Sequence, residues 1–312
     1  MKLNTISITG VLPRTLTSLL IATTAWLATA AAVRAQTLYV SSGSQTIDKV
    51  NPAGTVSLFA TVPANSFPQG LAFDGVGNLF VGDHDTEQVS KITPDGTVSL
   101  FATVPSFAGP EGLAFGAGGN LYAAAPGTSQ VLSISSGGVV GVFASTSGRP
   151  FGLAYDGSGF LYATDYLSNQ ISKISPSGVV SLFVTLPGAA PEGLAFDAIG
   201  NLYTADRNHD QIIKITSGGV SSLFATLPAG SGVEGLAFDS FGSLYVADND
   251  SNQISKISPN GLTVSTFATG ISAPTFITVA PVVPEPSSAL LLLFGAALCL
   301  RRHSLRTHER NA

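Results

Sequence analysis

The sequence predicts an all-β ring: a six-bladed β-propeller of four-stranded antiparallel blades, closed by a C-terminal strand that joins the N-terminal blade. Three observations carry this. First, a Gly-Leu-Ala-Phe-Asp phrase recurs. It begins at Gln69, Glu111, Phe151, Glu192 and Glu234, with a worn copy from Thr275. Second, its glycines stand at 70, 112, 152, 193 and 235, so the steps are 42, 40, 41 and 42 residues. A fixed period of this size marks a repeat architecture, and four short strands in about 41 residues make one propeller blade. Third, each unit carries four runs rich in Val, Ile, Leu, Phe and Tyr; in the unit from 192 they fall at 194–196, 202–205, 211–215 and 221–226.

Taken in order, residues 1–35 read as a secretory signal. Lys2 and Arg14 precede an apolar run from Leu16 to Val33, and Val33-Arg34-Ala35 offers a small-x-small cleavage site before Gln36. The propeller is expected over 36–281, with repeat starts near 69, 111, 151, 192, 234 and 275. The chain after Gln36 starts part-way through a unit: Leu38-Tyr39-Val40, Ile47–Val50 and Val56–Thr61 match strands two to four. Phe276–Ala280 supplies one first strand and stops, which predicts closure of a sixth blade and removal of the exposed sheet edges. Asp74, Asp156, Asp197 and Asp239 open turns of the form Asp-x-x-Gly, where a carboxylate accepts backbone amides. Asp83, Asp165, Asp206 and Asp248 end second strands and are expected to tie down the following loop. The third blade has Gly116 and Ala125 at these two places and is the irregular one.

Charge and cysteine usage narrow the partners. Charged residues are 11% of the chain, and 36–284 holds seven basic against 17 acidic residues, a difference of −10. Such a body repels nucleic acid and anionic membrane. The single cysteine, Cys299, lies beyond the repeats, which excludes a disulfide framework and thiol catalysis in the propeller.

The last thirty residues run from Pro284-Glu285-Pro286 through an apolar stretch, Ala289 to Leu300, to Arg301, Arg302, Arg306 and Arg310. Twelve helical residues span only ~18 Å, short of a ~30 Å bilayer core. This order resembles the PEP-CTERM sorting signal. The resemblance implies an exosortase-type processing enzyme as partner, a transient inner-membrane anchor through 282–312, and a final place at the cell surface or outside the cell. Membrane contact is then confined to the terminal segments.

The repeated Gly-Leu-Ala-Phe-Asp, Gly-Asn-Leu-Tyr-x-Ala-Asp and Ile-x-Lys-Ile resemble NHL-type blades and the six-bladed family of gluconolactonases, senescence marker protein and paraoxonases. Around the ring, the residue before the strand-one glycine reads Thr275, Gln69, Glu111, Phe151, Glu192, Glu234, and these side chains should converge on the channel mouth. Glutamates so close together require a cation or raised pKa values. In the lactonase-like family the metal ligands occupy this place, so the resemblance implies Gln69, Glu111, Glu192 and Glu234 as ligands for calcium, a hard cation suited to oxygen donors. This sequence departs from that pattern with Phe151 and with no asparagine at any of the six positions. Caps on blade-opening turns are the alternative role for these glutamates.

Loop residues that differ from blade to blade, His84, Asp85, Tyr166, Arg207, Asp210 and Asp250 among them, form a polar upper surface suited to protein or polysaccharide partners. The comparison with streptogramin-lyase-like propellers, which work with channel histidines, leaves His84 and His209, both in loops and both expected in solvent. The sequence thus predicts an exported binding or scaffold module. A calcium-dependent lactonase-like hydrolase with Glu192 or Glu234 as general base is the first alternative, and a streptogramin-lyase-like lyase the second.

Overall fold

The structure is a computed structural model and describes residues 36–281. Within them the chain forms six four-stranded antiparallel sheets. Blade one takes its inner strand, Pro274–Val279, from the end of the propeller, and Leu38–Ser42, Thr46–Val50 and Val56–Thr61 from its beginning. Leu38 lies opposite Val279 and Val40 opposite Ile277, so the two ends of the propeller are zipped by backbone hydrogen bonds. Blades two to six follow in chain order, with inner strands Pro68–Phe73, Leu113–Phe115, Pro150–Tyr155, Pro191–Phe196 and Val233–Phe238. The expected fold, blade count and closure are all present.

Why the same phrase must recur is visible at its glycine. At Gly193 a Cβ would stand 2.6 Å from the carbonyl oxygen of Glu234 in the next blade, and the equivalent glycines 70, 112, 152 and 235 are equally crowded. Inner strands pack backbone to backbone around the axis, joined by bonds such as Gly70 N–H to Glu111 O at 3.0 Å. At these five places a side chain would meet the neighbouring backbone, whereas blade one carries Phe276 at the corresponding position. Apolar burial is divided likewise. Six clusters, one in each gap between neighbouring blades, replace a single central core. An edge-to-face aromatic contact recurs within them, as in Tyr203 with Phe224 and Phe238 at 4.9 and 4.8 Å.

The turn aspartates act as expected. Asp197 Oδ1 accepts the amides of Ile199 and Asn201 at 3.1 and 2.8 Å, and Asp74, Asp156 and Asp239 repeat the pattern. At the strand-two ends, Asp83 takes the amides of Phe67, Asp85 and Thr86, and Asp165 and Asp206 do the same in their blades. Asp248 departs from this. Its Oδ2 accepts from Gln253 and Ser255, its Oδ1 has no partner, and burial pushes its pKa up to about 6. In the third blade, where Gly116 and Ala125 stand instead of aspartates, both turns tighten into short 3₁₀ segments, Ala117–Gly119 and Pro126–Thr128.

The expected leader at 1–35 and sorting tail at 282–312, including Pro284, Glu285 and Pro286, lie outside the described residues. Among the described residues no helix is long and apolar enough to cross a membrane.

Candidate functional site

Three positions of each repeat build one cavity at the upper mouth of the ring. The first is the residue before the strand-one glycine, which contributes Gln69, Glu111, Phe151, Glu192, Glu234 and Thr275. The second directly follows strand two and contributes His84, Pro126, Tyr166, Arg207 and Asn249. The third lies three residues before the glycine and contributes Phe67, Arg149 and Ala273. Together they enclose about 520 Å³, a volume suited to a small molecule. All 14 lining residues come from these three positions. Repetition of the blade therefore focuses side chains that are far apart in sequence.

The floor is aromatic. Phe151 belongs to blade four and Phe276 to blade one, which face each other across a six-membered ring. Their rings stack at 5.6 Å and 23°, so the pair spans the axis beneath the cavity.

Above it the charges are ordered. The Arg207 guanidinium donates to Glu234 and to Asp250 Oδ1 (3.1 Å) and lies 3.8 Å from Glu192 Oε2. Arg149 forms none of the ion pairs among the described residues. Desolvation pushes Glu111 up to about 8 against the pull of Arg149, and the Glu192 charge raises it further. Desolvation likewise raises Glu192, against the pull of Arg207.

His84 lies in the loop after strand two, as expected, and its side chain is 39% exposed while also forming part of the cavity lining. Its Nδ1 lies 3.0 Å from Asp85 Oδ1, and its Nε2 faces Glu111 Oε1 at 3.7 Å, beyond hydrogen-bond reach. The tautomer with the proton on Nδ1 donates to Asp85 and leaves the Nε2 lone pair on the side of Glu111. His209 is half exposed and bonded to Asp206 Oδ2 at 2.8 Å, away from the mouth.

The four positions expected to hold calcium do converge: Gln69, Glu111, Glu192 and Glu234 line one cavity. Among the described residues, though, no three His, Cys, Asp or Glu side chains are grouped to hold a metal ion. Positive charge is supplied by Arg149 and Arg207. Of the loop residues expected to bind partners, His84, Tyr166 and Arg207 line the cavity. Asp85 orients His84, Asp250 braces Arg207, and Asp210 accepts the amides of Gly230 and Gly232 at 2.8 and 2.7 Å. Arg149 escaped the sequence reading. Comparing the position three before each glycine, which reads Ala273, Phe67, Gly109, Arg149, Ala190, Gly232, singles it out.

Comparisons with known proteins follow the same lines. The Virginiamycin B lyase family matches residues 22–210. No curated protein matches. Among solved structures, a catalytically inactive virginiamycin B lyase from Staphylococcus aureus with quinupristin is 20% identical at a TM-score of 0.58, covering 69% of this chain and 75% of that one. A streptogramin B lyase is 17% identical at 0.57, covering 75% and 74%. A chain of a nidogen/laminin complex is 18% identical at 0.71, covering 80% and 100%. At these identities the structural likeness is one of fold.

Proposed function

The chain belongs to the virginiamycin B lyase family, and from that premise we propose that the upper mouth is the active site of a lyase that opens an ester by β-elimination. The observation that supports this reading best is the Asp85–His84 pair, which sets the imidazole in the wall of a cavity that also holds the guanidinium of Arg149. In the proposed step, a proton on the carbon next to a carbonyl passes to His84 Nε2. Its electron pair forms a C=C bond, the neighbouring alkyl C–O bond breaks, and the acyl part leaves as a carboxylate. Arg149 stabilises the oxygen on which charge develops, and Asp85 holds the imidazole in the tautomer the transfer requires.

The test is incubation of the purified protein with quinupristin, the compound in the related lyase structure, and with a panel of simple esters bearing an acidic α-hydrogen. Elimination opens a cyclic ester with no change of mass and creates an alkene, whereas hydrolysis adds one water. An alkene product lost in His84→Ala supports the reading. Addition of water would turn it into a hydrolase. No product from any ester would leave the second reading, a cavity that binds without turnover, in keeping with the higher structural similarity to the nidogen/laminin chain.

Residues 1–35 and the Pro284-Glu285-Pro286 tail support export followed by exosortase-type processing, with protein or polysaccharide partners at the cell surface. Mass spectrometry of the exported protein tests this; an intact tail on the mature chain would oppose it.

A further inference from the structure

A second cavity, of about 380 Å³, opens at the other end of the ring, between blades four and five. One departure from the repeat sets it apart. The residue that ends the turn before strand two reads Asn78, Asn120, Phe160, Asn201 and Ser243. In blades two and five the asparagine Nδ2 donates to the turn aspartate, Asp74 Oδ2 at 2.6 Å and Asp197 Oδ2 at 2.7 Å. In blades five and six a tyrosine hydroxyl reaches the same oxygen, Tyr203 at 3.2 Å and Tyr245 at 3.4 Å. The Phe160 side chain has no donor. Asp156 Oδ1 accepts the amides of Ser158 and Phe160 at 2.9 and 2.8 Å, and among the described residues its Oδ2 accepts no bond.

The substitution also brings in a ring. The Lys173 ammonium lies 4.0 Å from the Phe160 centroid and 5.3 Å from that of Tyr162. The Tyr162 ring in turn contacts Phe183 and Phe196, with centroids at 5.0 and 5.3 Å. Lys173 forms no ion pair among the described residues. Phe160 therefore holds an open carboxylate oxygen through its backbone and an unpaired cation over its ring, both in the lining of one cavity. The surroundings favour an anion more than the net charge of the propeller suggests. Lys49, Lys91, Lys173, Lys214 and Lys256 stand near the lower ends of third strands, and they match the five turn aspartates of that end, Asp74, Asp95, Asp156, Asp197 and Asp239. The excess of acid lies toward the mouth.

We infer that this cavity binds an acidic sugar, a uronate, with its carboxylate on Lys173, a ring hydroxyl donating to Asp156 Oδ2, and its apolar C–H face against Phe196 and Ile199. Ser158, Thr216 and Ser217 line the same cavity and offer further hydroxyl partners. A neutral sugar leaves the ammonium unpaired. An aromatic acid leaves the Asp156 oxygen and the hydroxyls unused. A phosphate or sulfate group calls for more than one cation. The site lies apart from the mouth and is independent of the lyase reading. It narrows the polysaccharide partner proposed above to an acidic one, and rests on that reading only for the source of the sugar.

The experiment is calorimetric titration of the full chain with methyl β-D-glucuronide, with methyl β-D-glucoside and phenylacetate as the neutral and the aromatic comparison. The glucuronide should bind about tenfold more tightly than either, as one charge-assisted hydrogen bond allows, and the gap should narrow as sodium chloride is added. Lys173→Met keeps the stem and should remove the preference over the glucoside. Phe160→Asn gives blade four the asparagine that its neighbours carry, so the fold should persist while binding is lost. Lys214→Met, at the same position of blade five, should leave the affinity unchanged. Equal affinity for glucuronide and glucoside, tighter binding of phenylacetate, no binding of the glucuronide, an undiminished affinity in Lys173→Met or Phe160→Asn, or an equal loss in Lys214→Met would each overturn the inference. A trisaccharide of galacturonate separates the sources: binding at least as tight as that of the glucuronide supports a polymer, whereas binding of the single sugar alone keeps the uronate site and removes the polysaccharide partner.

Discussion

Replacing Glu111 by glutamine should stabilise the protein, and more so as the pH rises. The folded state holds this carboxyl at about 8 because burial removes water from its charged form. In the unfolded chain it titrates near its ordinary value of 4.5. The separation, 8 − 4.5 = 3.5 pH units, corresponds to on the order of 5 kcal/mol at about 1.4 kcal/mol per unit. The sign follows from proton counting. Between these pH values the folded state holds a proton that the unfolded state has lost, so stability falls as the pH rises. This contribution is therefore fully present below about 4.5 and gone above about 8. Glutamine keeps the shape and carries no charge at any pH. Wild type and Glu111→Gln should melt together near pH 4.5 and separate by roughly 10 °C or more by pH 9. Differential scanning calorimetry across that range reads the difference directly. A gap between the two proteins that stays constant with pH would refute the argument, because it would mean that the Glu111 carboxyl ionises as freely in the folded protein as in solvent.

Three further outcomes follow from the same geometry. Asp248→Asn should show a smaller pH-dependent gain of the same sign, developed between about 4 and about 6, because Asp248 is raised by burial with one oxygen unpartnered; melts at pH 4 and pH 7 check it. Gly193→Ala should destabilise the ring by about 2 kcal/mol or more, since the new Cβ meets the Glu234 carbonyl and backbone cannot give way; an unchanged urea midpoint would contradict the crowding. Phe151→Ala should lose about 2 kcal/mol and deepen the mouth by removing half of the stacked pair, seen as a lower urea midpoint together with a new site for a small aromatic probe.

The fold was legible because one unit is written five times and a partial copy lies at each end. Inner-strand glycines, turn aspartates and the missing first strand each announce their role by recurring, or by failing to recur. The first ring of mouth residues was legible for the same reason: a position before an invariant-looking glycine can be compared across blades. What escaped depends on distances between blades. Nothing local in Asp83-His84-Asp85 tells that His84 comes within 3.7 Å of Glu111, and the union of Arg207 with Glu234 and Asp250 joins residues 27 and 43 positions apart. Asp210 shows a structural role the sequence did not announce: its two oxygens accept the amides of Gly230 and Gly232.

The zipped first blade also fixes a direction. Leu38 and Val279 face each other at the lower ends of their strands, and the Ala280 amide bonds Thr37 O at 2.8 Å. Both ends of the ring thus leave from the side opposite the mouth. Among the described residues this blade is the one joined by strand pairing rather than by continuous chain, so tension between Gln36 and Pro281 would fall on the pairing of Leu38–Ser42 with Pro274–Val279.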